Sequence, residues 1–433
     1  MAGFDLVVET VAESGTSERA DPGRTGTPSG GGRSDFWSAG HRPTLFAALL
    51  YFDLAFMVWV LLGPLAPEIA KDLGLNPAQK GLMVALPTLA GAVLRLFMGV
   101  IVDRIGPKRT GAVAQVIVIV GLVAASVIGV HSFAGTLLLG LLLGVAGASF
   151  AVALPLASRW YPPQHQGTAL GIAGMGNSGT VFAALFAPSL AIAFGWNSVF
   201  GLAAIPLVAV FIAYLVMARD APSNAPPKSF VAYLEPLKSA DAWLFMLFYA
   251  VTFGGFSGLT SSLSIYFTDR FELTTVTAGY CTAACIFVGS LMRPIGGALA
   301  DRVGGIRTLS VVYAVAIASL IAISTGPSSV AAALTLFLIT MLAFGAGNGA
   351  VFQLVPQRFS AQIGAMTGLV GMAGGVGGFY LASSLGFARQ LTGSYQSGFL
   401  IFAALAVVAL GTLTAIKARW RGRWDAVLQG VRI

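Results

Sequence analysis

Two arginines stand inside long apolar stretches of this sequence, where a charged side chain is costly. Arg95 and Arg293 are the basic residues that fall within predicted membrane spans, and a guanidinium at that depth costs a few kcal/mol. Each has glycine at the fourth residue before it and the fourth after it, which clears space on one helix face. A guanidinium is a permanent positive charge with a planar fork of donors, so the pair predicts a site for one small, flat, monovalent oxyanion. Snorkelling of both side chains to the membrane surface is the alternative.

The composition indicates the kind of protein that carries these arginines. Of 433 residues, 56% are hydrophobic and only 10% are charged, and the mean hydropathy is +0.83. Soluble domains carry about 25% charged residues, so a soluble enzyme is excluded and a helical membrane protein is predicted. The net charge of +8 is interpreted as a topology signal and not as a nucleic-acid-binding surface. Cys281 and Cys285 are too few for a disulfide scaffold and are interpreted as packing residues.

Twelve apolar runs are long enough to cross a bilayer as helices, so the predicted fold is an all-α membrane protein with twelve transmembrane helices. Nineteen of the 25 Lys and Arg residues fall on one side of this arrangement, four fall on the other and two lie within spans. The positive-inside rule therefore predicts a multi-pass protein of the cell (inner) membrane with both termini in the cytoplasm. The spans, numbered 1 to 12, are predicted at 44–66, 81–102, 110–130, 134–157, 167–193, 197–217, 242–267, 276–300, 308–325, 330–356, 364–386 and 397–417.

The sequence repeats itself at an offset of 198 residues between spans 2 and 8, and at an offset of 197 between spans 5 and 11. Because six helices separate the copies, both halves keep the same orientation, and the binding site is expected on the axis between them. The predicted organisation is a disordered cytoplasmic N-tail (1–43), a first six-helix half (44–217), a Pro-rich cytoplasmic linker (218–241), a second half (242–417) and a basic cytoplasmic C-tail (418–433).

The repeated segment ends in a charged loop, Gly-x3-Asp-Arg-x-Gly-x2-Arg, which occurs in both halves. It resembles the loop motif of the major facilitator superfamily, which implies a fold of two pseudo-symmetric six-helix halves. The resemblance also implies that each aspartate holds a conformation by meeting neighbouring arginines and helix N-termini; a plain charged hairpin is the alternative. The charged motif residues are Asp103, Arg104 and Arg109 in the first copy, and Asp301, Arg302 and Arg307 in the second.

Spans 5 and 11 are rich in glycine, which lets helix backbones approach closely. Packing alone would explain the glycines, but Asn177 stands within the first run and adds a hydrogen-bonding side chain. These runs resemble the paired glycine signatures of the nitrate/nitrite porter family within the superfamily, and the resemblance covers residues 44–417. One departure is Thr180, where the family often continues with glycine. The signature glycines are Gly171, Gly174, Gly176 and Gly179 in span 5, and Gly368, Gly371, Gly374, Gly375 and Gly378 in span 11.

The family resemblance assigns roles to residues of this sequence. It implies that Arg95 and Arg293 clasp nitrate or nitrite, while Asn177 and three aromatic side chains complete the pocket. Two of these aromatic residues stand four apart in one span and therefore share a helix face, although ordinary core or lipid packing is the alternative for all three. The aromatic residues are Phe150 in span 4, and Tyr249 and Phe253 in span 7.

Coupled uptake requires a titratable group, because an inside-negative potential opposes anion entry and nitrate cannot carry a proton itself. Asp53 in span 1 is the carboxylate that lies within a helix interior away from the loop motifs. Intramembrane carboxylates are candidate proton relays; a permanent ion pair with an arginine or a capped polar contact is the alternative. The sequence contains no Gly-x4-Gly-Lys-Ser/Thr loop, so ATP is not expected to drive transport, and no metal or cofactor is predicted.

The predicted function is secondary active transport of nitrate, with nitrite as a second substrate, by proton-coupled uptake and alternating access. The predicted partners are this inorganic anion, protons and the lipid bilayer. Two alternatives stay open: a nitrate/nitrite antiporter, and an exchanger of another small planar anion such as formate. A transporter-like sensor is a different class, and the lack of an appended domain argues against it. An enzyme is not expected, since no His/Asp or Ser/His set faces one leaflet.

Overall fold

The computed structural model describes residues 33–222, 230–359 and 362–424, and within these ranges every regular element is a helix. Twelve helical stretches of the described chain are long and apolar enough to cross a membrane, which confirms the predicted fold. The spans, numbered as above, are Arg42–Leu73, Pro77–Ile105, Pro107–Ile128, Phe133–Ser158, Ala169–Phe194, Trp196–Met217, Ala240–Phe271, Thr275–Val303, Gly305–Ser324, Val330–Arg358, Ile363–Thr392 and Gln396–Trp420.

Spans 1, 4 and 5 each consist of more than one helical segment. Span 5 is interrupted at its glycine run, where the α-helix Pro163–Gly174 passes into a 3₁₀ turn, Met175–Ser178, before the α-helix Gly179–Phe194. Its counterpart, span 11, is one continuous α-helix. The remaining segments are Arg42–Trp59 and Leu62–Leu73 in span 1, and Phe133–Gly147 and Phe150–Ser158 in span 4.

Short helices lie outside the spans. In the predicted N-tail, Arg33–Ser38 is helical, and residues 1–32 lie outside the described ranges. In the linker, the α-helix Phe230–Leu234 is followed by the 3₁₀ turn Glu235–Lys238. The last helix runs from Gln396 to Trp424 and so continues into the predicted C-tail, of which residues 425–433 are not described.

The repeated loop motif forms the same tight turn in both halves. Gly106 and Gly304 end spans 2 and 8 with φ angles of +86° and +106°, a region of backbone space that favours glycine. The next helix begins directly after each glycine, at Pro107 and at Gly305. The glycine of the motif therefore lets two antiparallel spans follow one another with almost no loop between them.

The bundle has two ends, which we name by the charged loops. The motif end carries Asp103 and Asp301, and the opposite end carries the beginnings of spans 2 and 8. At the opposite end the two halves are joined by an ion pair of 2.9 Å between Lys80 in span 2 and Asp269 in span 7. Tyr395 also donates a hydrogen bond of 2.8 Å to Asp269. The halves are thus closed against each other at this end.

Spans 2 and 11 continue the contact between the halves from the opposite end to the middle of the bundle. A Cβ atom on Gly81 would lie 2.7 Å from the Cα of Gly386, and a Cβ on Gly375 would lie 2.5 Å from the Cβ of Ala92. Backbones approach this closely only where side chains are absent or small. One turn beyond Ala92 lies Arg95, so the close packing of spans 2 and 11 ends at the arginine.

Candidate functional site

Arg95 is buried at mid-depth, with 2% of its surface exposed. Its Nε donates to the carbonyl oxygen of Gly147 at 3.1 Å, and its Nη1 donates to that of Gly371 at 2.7 Å. The first contact is possible because spans 2 and 4 touch at glycines: a Cβ on Gly91 would lie 3.2 Å from the Cα of Gly147. Within the described chain Nη2 has no hydrogen-bond partner. One donor nitrogen of a buried guanidinium is therefore left to bind something else.

Aromatic rings surround the Arg95 guanidinium. Its Cζ atom lies 5.4 Å from the centroid of the Phe253 ring and 5.5 Å from that of Phe150, and the rings of Trp59 and Phe56 are at 5.5 and 6.0 Å. A cation over an aromatic face is attracted by the ring quadrupole, and more strongly where water is excluded. These contacts help to hold the charge at this depth.

Arg293 points toward the same place from the second half and is half-buried. Its Nη2 donates to the Tyr249 hydroxyl oxygen at 3.3 Å. Its Cζ atom lies 5.6 Å from the centroid of the Phe352 ring and 5.9 Å from that of Phe150. The Phe150 ring therefore contacts both guanidinium groups, and both arginines point toward the same cluster of aromatic rings.

The remaining predicted aromatic residues form the wall next to the arginines. The rings of Tyr249 and Phe253 are stacked, with centroids 5.1 Å apart and an interplanar angle of 7°. Gly374 of span 11 lies against this stack, since a Cβ there would be 2.6 Å from Cδ1 of Tyr249. Phe352 meets Tyr249 edge-on at 5.0 Å. The result is a cluster of flat aromatic rings against which two guanidinium groups lie.

Three members of this pocket are absent from the sequence prediction: Phe56, Trp59 and Phe352. Phe56 stands four residues after Phe52, and their rings meet at 4.3 Å, so helical spacing along span 1 is a signal that could have indicated an aromatic face. No comparable local signal marks Phe352. It reaches the pocket because span 10 crosses near span 7, which is a tertiary property.

Asn177 is buried, with 3% of its surface exposed, but its contact is with span 8 and not with an arginine. Its Nδ2 lies 3.4 Å from the hydroxyl oxygen of Ser290, and its Oδ1 has no partner within the described chain. Ser290 precedes Arg293 by three residues and so shares its helix face. Asn177 therefore joins the two halves beside the pocket.

The signature glycines serve different contacts. Gly171, Gly174 and Gly368, on the motif-end side, have open space where a Cβ would stand. Gly176 and Gly179 lie against the backbone of span 1, whereas Gly371 borders Arg95 with a nearest distance of 3.7 Å, and Gly378 faces Ser257. Only some of the run thus allows close helix approach, and the rest leaves space toward the motif end.

Asp53 is half-buried and lies at the contact between spans 1 and 5. The Ser178 hydroxyl donates to its Oδ1 at 2.9 Å. Among the described residues Asp53 forms no ion pair, so the sequence-based alternative of a permanent pair with an arginine is not what the structure contains. The contact that the structure gives the Asp53 carboxylate is the hydrogen bond from Ser178.

The two loop motifs differ in their contacts. Asp103 pairs with Arg159, the residue directly after span 4, at 2.5 Å, and the hydroxyl of Tyr233 in the linker donates to Asp103 at 2.5 Å. Burial, together with the adjacent Asp103 carboxylate, raises the pKa of Tyr233, so this hydroxyl stays protonated and able to donate. Asp301 is exposed and forms no ion pair in the described part of the chain. The other motif residues, Arg104, Arg109, Arg302 and Arg307, are exposed.

Comparison with known proteins agrees with this architecture. The family model of the Major Facilitator Superfamily matches residues 47–382. A solved structure, a bacterial homologue of the human lysosomal transporter Spinster in an inward-facing and occupied conformation, matches with a TM-score of 0.66 at 18% identity, covering 89% of this chain and 98% of that one. Two related halves, twelve spans and the duplicated loop motif thus define a transporter of the major facilitator fold rather than an enzyme.

Similar proteins with descriptive names indicate the family within the superfamily. The probable nitrate/nitrite transporter NarK2 of Mycobacterium tuberculosis is 34% identical, over 84% of this chain and 93% of its own. The nitrite extrusion protein of Bacillus subtilis is 34% identical over 83% and 90%, and the probable nitrate/nitrite antiporter NarK1 of Thermus thermophilus is 31% identical over 84% and 89%. The chain belongs to the nitrate/nitrite porter family of the major facilitator superfamily.

Proposed function

We propose that this protein is a secondary active transporter of nitrate and nitrite across the cell membrane, working by alternating access. The observation that carries the proposal is the meeting of Arg95 and Arg293 on the ring of Phe150. One flat monovalent anion can accept hydrogen bonds from two planar guanidinium groups. The aromatic walls favour a planar substrate and offer no further charge for a phosphate ester or a dianion.

The distribution of basic residues orients the proposed transporter. Nineteen Lys and Arg residues belong to the side that carries the motif end and the termini, so we assign this side to the cytoplasm. In that orientation the opposite end, closed by Lys80 and Asp269, faces outward, and Gly171, Gly174 and Gly368, where a Cβ would have no neighbour within 4 Å, lie toward the inward side. The conformation is then inward-facing, with the pocket positioned to release or accept anions on the cytoplasmic side.

The pocket suggests how a bound anion drives closure. Arg95 keeps two of its nitrogens on backbone carbonyls and has one nitrogen for the anion, whereas Arg293 has a single side-chain hydroxyl as its hydrogen-bond partner among described residues. With the pocket empty, the two like charges repel each other. An anion between them replaces this repulsion with two attractions, which favours the state in which both halves touch the substrate.

Net uptake of an anion needs a compensating charge. An inside-negative potential opposes anion entry by about 2.3 kcal/mol per 100 mV. We assign the compensating proton to Asp53, a carboxylate within the membrane with a neutral partner, Ser178, and without an ion pair among the described residues. Binding and release of one proton at Asp53 would make each cycle electroneutral.

Exchange of nitrate for nitrite is the second candidate function. It is favoured by relatives whose names describe a nitrate/nitrite antiporter and a nitrite extrusion protein. Exchange of one monovalent anion for another moves no net charge, so it needs no proton. The two candidates share the same pocket and differ in the role of Asp53.

The decisive experiment is nitrate flux into vesicles that contain the purified protein, at a clamped voltage and with internal pH recorded. Proton-coupled uptake predicts that nitrate enters empty vesicles together with protons, and that Asp53→Asn abolishes the proton movement. Exchange predicts uptake only when nitrite or nitrate is loaded inside. Formate that competes as well as nitrite does would contradict the nitrate assignment, and chlorate, a pyramidal anion, serves as a test of the preference for planar shape.

A further inference from the structure

Ser178 stands between two hydrogen-bond acceptors. Its Oγ lies 2.9 Å from Oδ1 of Asp53 and 2.8 Å from the carbonyl oxygen of Met175. A serine hydroxyl carries one proton, so it can donate to only one of them at a time. A charged carboxylate is the stronger acceptor. A protonated carboxyl group is instead a donor, and can donate to Oγ itself.

The contact between Asp53 and the segment that carries Ser178 is tight. A Cβ on Gly179 would lie 1.7 Å from the carbonyl oxygen of Asp53, and a Cβ on Gly176 would lie 2.9 Å from its backbone nitrogen. Span 5 adopts its 3₁₀ turn, Met175–Ser178, at this place. Two glycines therefore let the turn pack directly against span 1. A change at the Asp53 side chain acts on the turn through this contact.

The same turn carries a residue of the interface between the halves. Asn177 precedes Ser178, its Nδ2 contacts Ser290 of span 8, and its buried Oδ1 is without a partner among the described residues. Ser290 lies on the face of span 8 that carries Arg293. A path of adjacent groups thus leads from the carboxylate of span 1 to the arginine of the other half.

We propose that Ser178 is a positioning residue that transmits the protonation state of Asp53 to Asn177 and the contact between the halves. This inference rests on the proposed proton coupling. When Asp53 is ionised, the Ser178 hydroxyl donates to it and the Met175 carbonyl loses that donor. When Asp53 takes up a proton from water, its O–H donates to Ser178 Oγ and the serine proton turns to Met175. The turn thus has two hydrogen-bonded arrangements, one for each protonation state of Asp53. Each arrangement holds Asn177 in a different position against span 8.

Few other titratable groups could perform this switch. The segments of spans 4, 5 and 6 that pack against the first helix of span 1 contain no Asp, Glu, Lys or Arg. Span 2 also faces this helix and brings Arg95, whose Cζ atom lies 6.0 Å from the Phe56 ring centroid and 5.5 Å from that of Trp59. His165 lies near the motif-end start of span 5, and the hydroxyl of Tyr214 in span 6 donates to the carbonyl oxygen of Pro107 at 3.1 Å. The carboxylate of Asp53 is therefore the acidic group on this contact.

The test measures nitrate affinity and proton flux in variants of Ser178. Coupling between two ligands commonly changes affinity 5- to 150-fold, so we expect the nitrate Kd of the wild type to change by about tenfold between acid and neutral pH. Ser178→Ala and Ser178→Cys should reduce this change to about twofold or less and lower the ratio of protons to nitrate. Ser178→Thr keeps the hydroxyl and should retain the wild-type pH profile.

Ser319 provides a matched control. It is a buried serine of span 9 whose hydroxyl donates to the carbonyl three residues before it, at 3.1 Å, and accepts from the Thr340 hydroxyl at 2.8 Å. Ser319→Ala therefore removes the same type of local bond, together with one side-chain contact, away from Asp53 and should leave the pH profile unchanged. A proton-coupled wild type combined with an unaltered profile in folded Ser178→Ala or Ser178→Cys overturns this inference alone. A wild type that moves nitrate without protons overturns both the inference and the role of Asp53, but leaves nitrate transport intact.

Discussion

Arg95 and Arg293 occupy equivalent positions in the two halves, yet their surroundings differ. Arg95 is buried and holds two backbone carbonyls, whereas Arg293 is half-buried and contacts the hydroxyl of Tyr249. The same contrast holds for the loop motifs, since Asp103 is paired and Asp301 is exposed. A repeat with the same charged residues therefore holds Arg95 and Asp103 by more contacts in the first half than Arg293 and Asp301 in the second.

Spans 5 and 11 show the same division. At the repeat offsets, Asn177 and Ser178 of span 5 correspond to Gly374 and Gly375 of span 11, and Asp53 corresponds to Val251. The first half thus carries the polar set that we connect with protons, whereas the second half carries Gly374, which lies against the aromatic stack, and Gly375, which lies against Ala92. The symmetry of the fold thus gives corresponding residues equivalent positions in the two halves, while the side chains at those positions differ in chemistry.

The largest expected effect is a loss of nitrate affinity, and we expect it to differ between substitutions of the two arginines. Lysine keeps the charge but has no fork, so Arg95→Lys cannot hold both carbonyls and also donate to an anion. A hydrogen bond to a charged group contributes about 1.5–3 kcal/mol, and two are lost or weakened, so we expect the nitrate Kd to rise roughly 100-fold. Arg293→Lys loses the bond to Tyr249 and should raise Kd about tenfold. Binding is measured by titration calorimetry or by a thermal-shift series with nitrate.

Arg270→Lys is the control for the chemistry of the substitution, because Arg270 lies at the opposite end over the Phe271 ring and outside the pocket. Its nitrate affinity should stay at the wild-type value. Equal losses of nitrate affinity in Arg95→Lys and Arg293→Lys would contradict the distinction between an arginine held by two backbone carbonyls and one held by a single hydroxyl. Wild-type affinity in both would remove the pocket itself.

The sequence predicts the fold and the main charged residues of this site, because these depend on local patterns. Apolar runs predict the twelve spans, and the repeat predicts that Arg95 and Arg293 belong to equivalent helices. The contacts that distinguish the two arginines are not predictable in this way. They depend on how far spans 2, 4 and 11 slide along one another, which sets whether Gly147 and Gly371 present their carbonyls to Arg95. The 3₁₀ turn and the partner of Asp53 have the same tertiary origin.

A second comparison concerns two glycines of the paired signature. Gly374→Ala would place a Cβ 2.6 Å from the Tyr249 ring and 2.9 Å from that of Phe253, so the aromatic wall must shift. Overpacking typically costs about 1–3 kcal/mol, and we expect nitrate affinity to fall about tenfold with a lower melting temperature. Gly171→Ala meets open space and should be tolerated, with a gain of about 0.5–1 kcal/mol from the helix backbone. Nitrate titration and thermal unfolding report both effects, and equal losses in the two variants would contradict the different contacts assigned to these glycines.

The smallest expected effect compares the two motif aspartates. Asp103→Asn keeps the shape of the side chain but removes the charge that Arg159 meets at 2.5 Å. Because Arg159 is partly exposed, with 35% of its side-chain surface accessible, the pair is worth only about 0.2–1 kcal/mol. That is enough to shift a balance between inward-facing and outward-facing states by up to about fivefold. Asp301→Asn removes no ion pair in the described chain, so it should leave the ratio of inward-facing to outward-facing states unchanged.

Distances between paired spin labels across the motif end would report the balance directly. If the conformation is inward-facing, as we propose, the contacts that Arg159 and Tyr233 make with Asp103 belong to the state in which the motif end is open. Their loss should therefore raise the population in which the motif end is closed. Tyr233→Phe removes the linker hydroxyl but keeps the ion pair, so it should produce a smaller shift in the same direction. If Asp301→Asn moved the distances as far as Asp103→Asn, the two copies of the motif would be equivalent in the membrane, and the asymmetry would belong to this one conformation instead of to the protein.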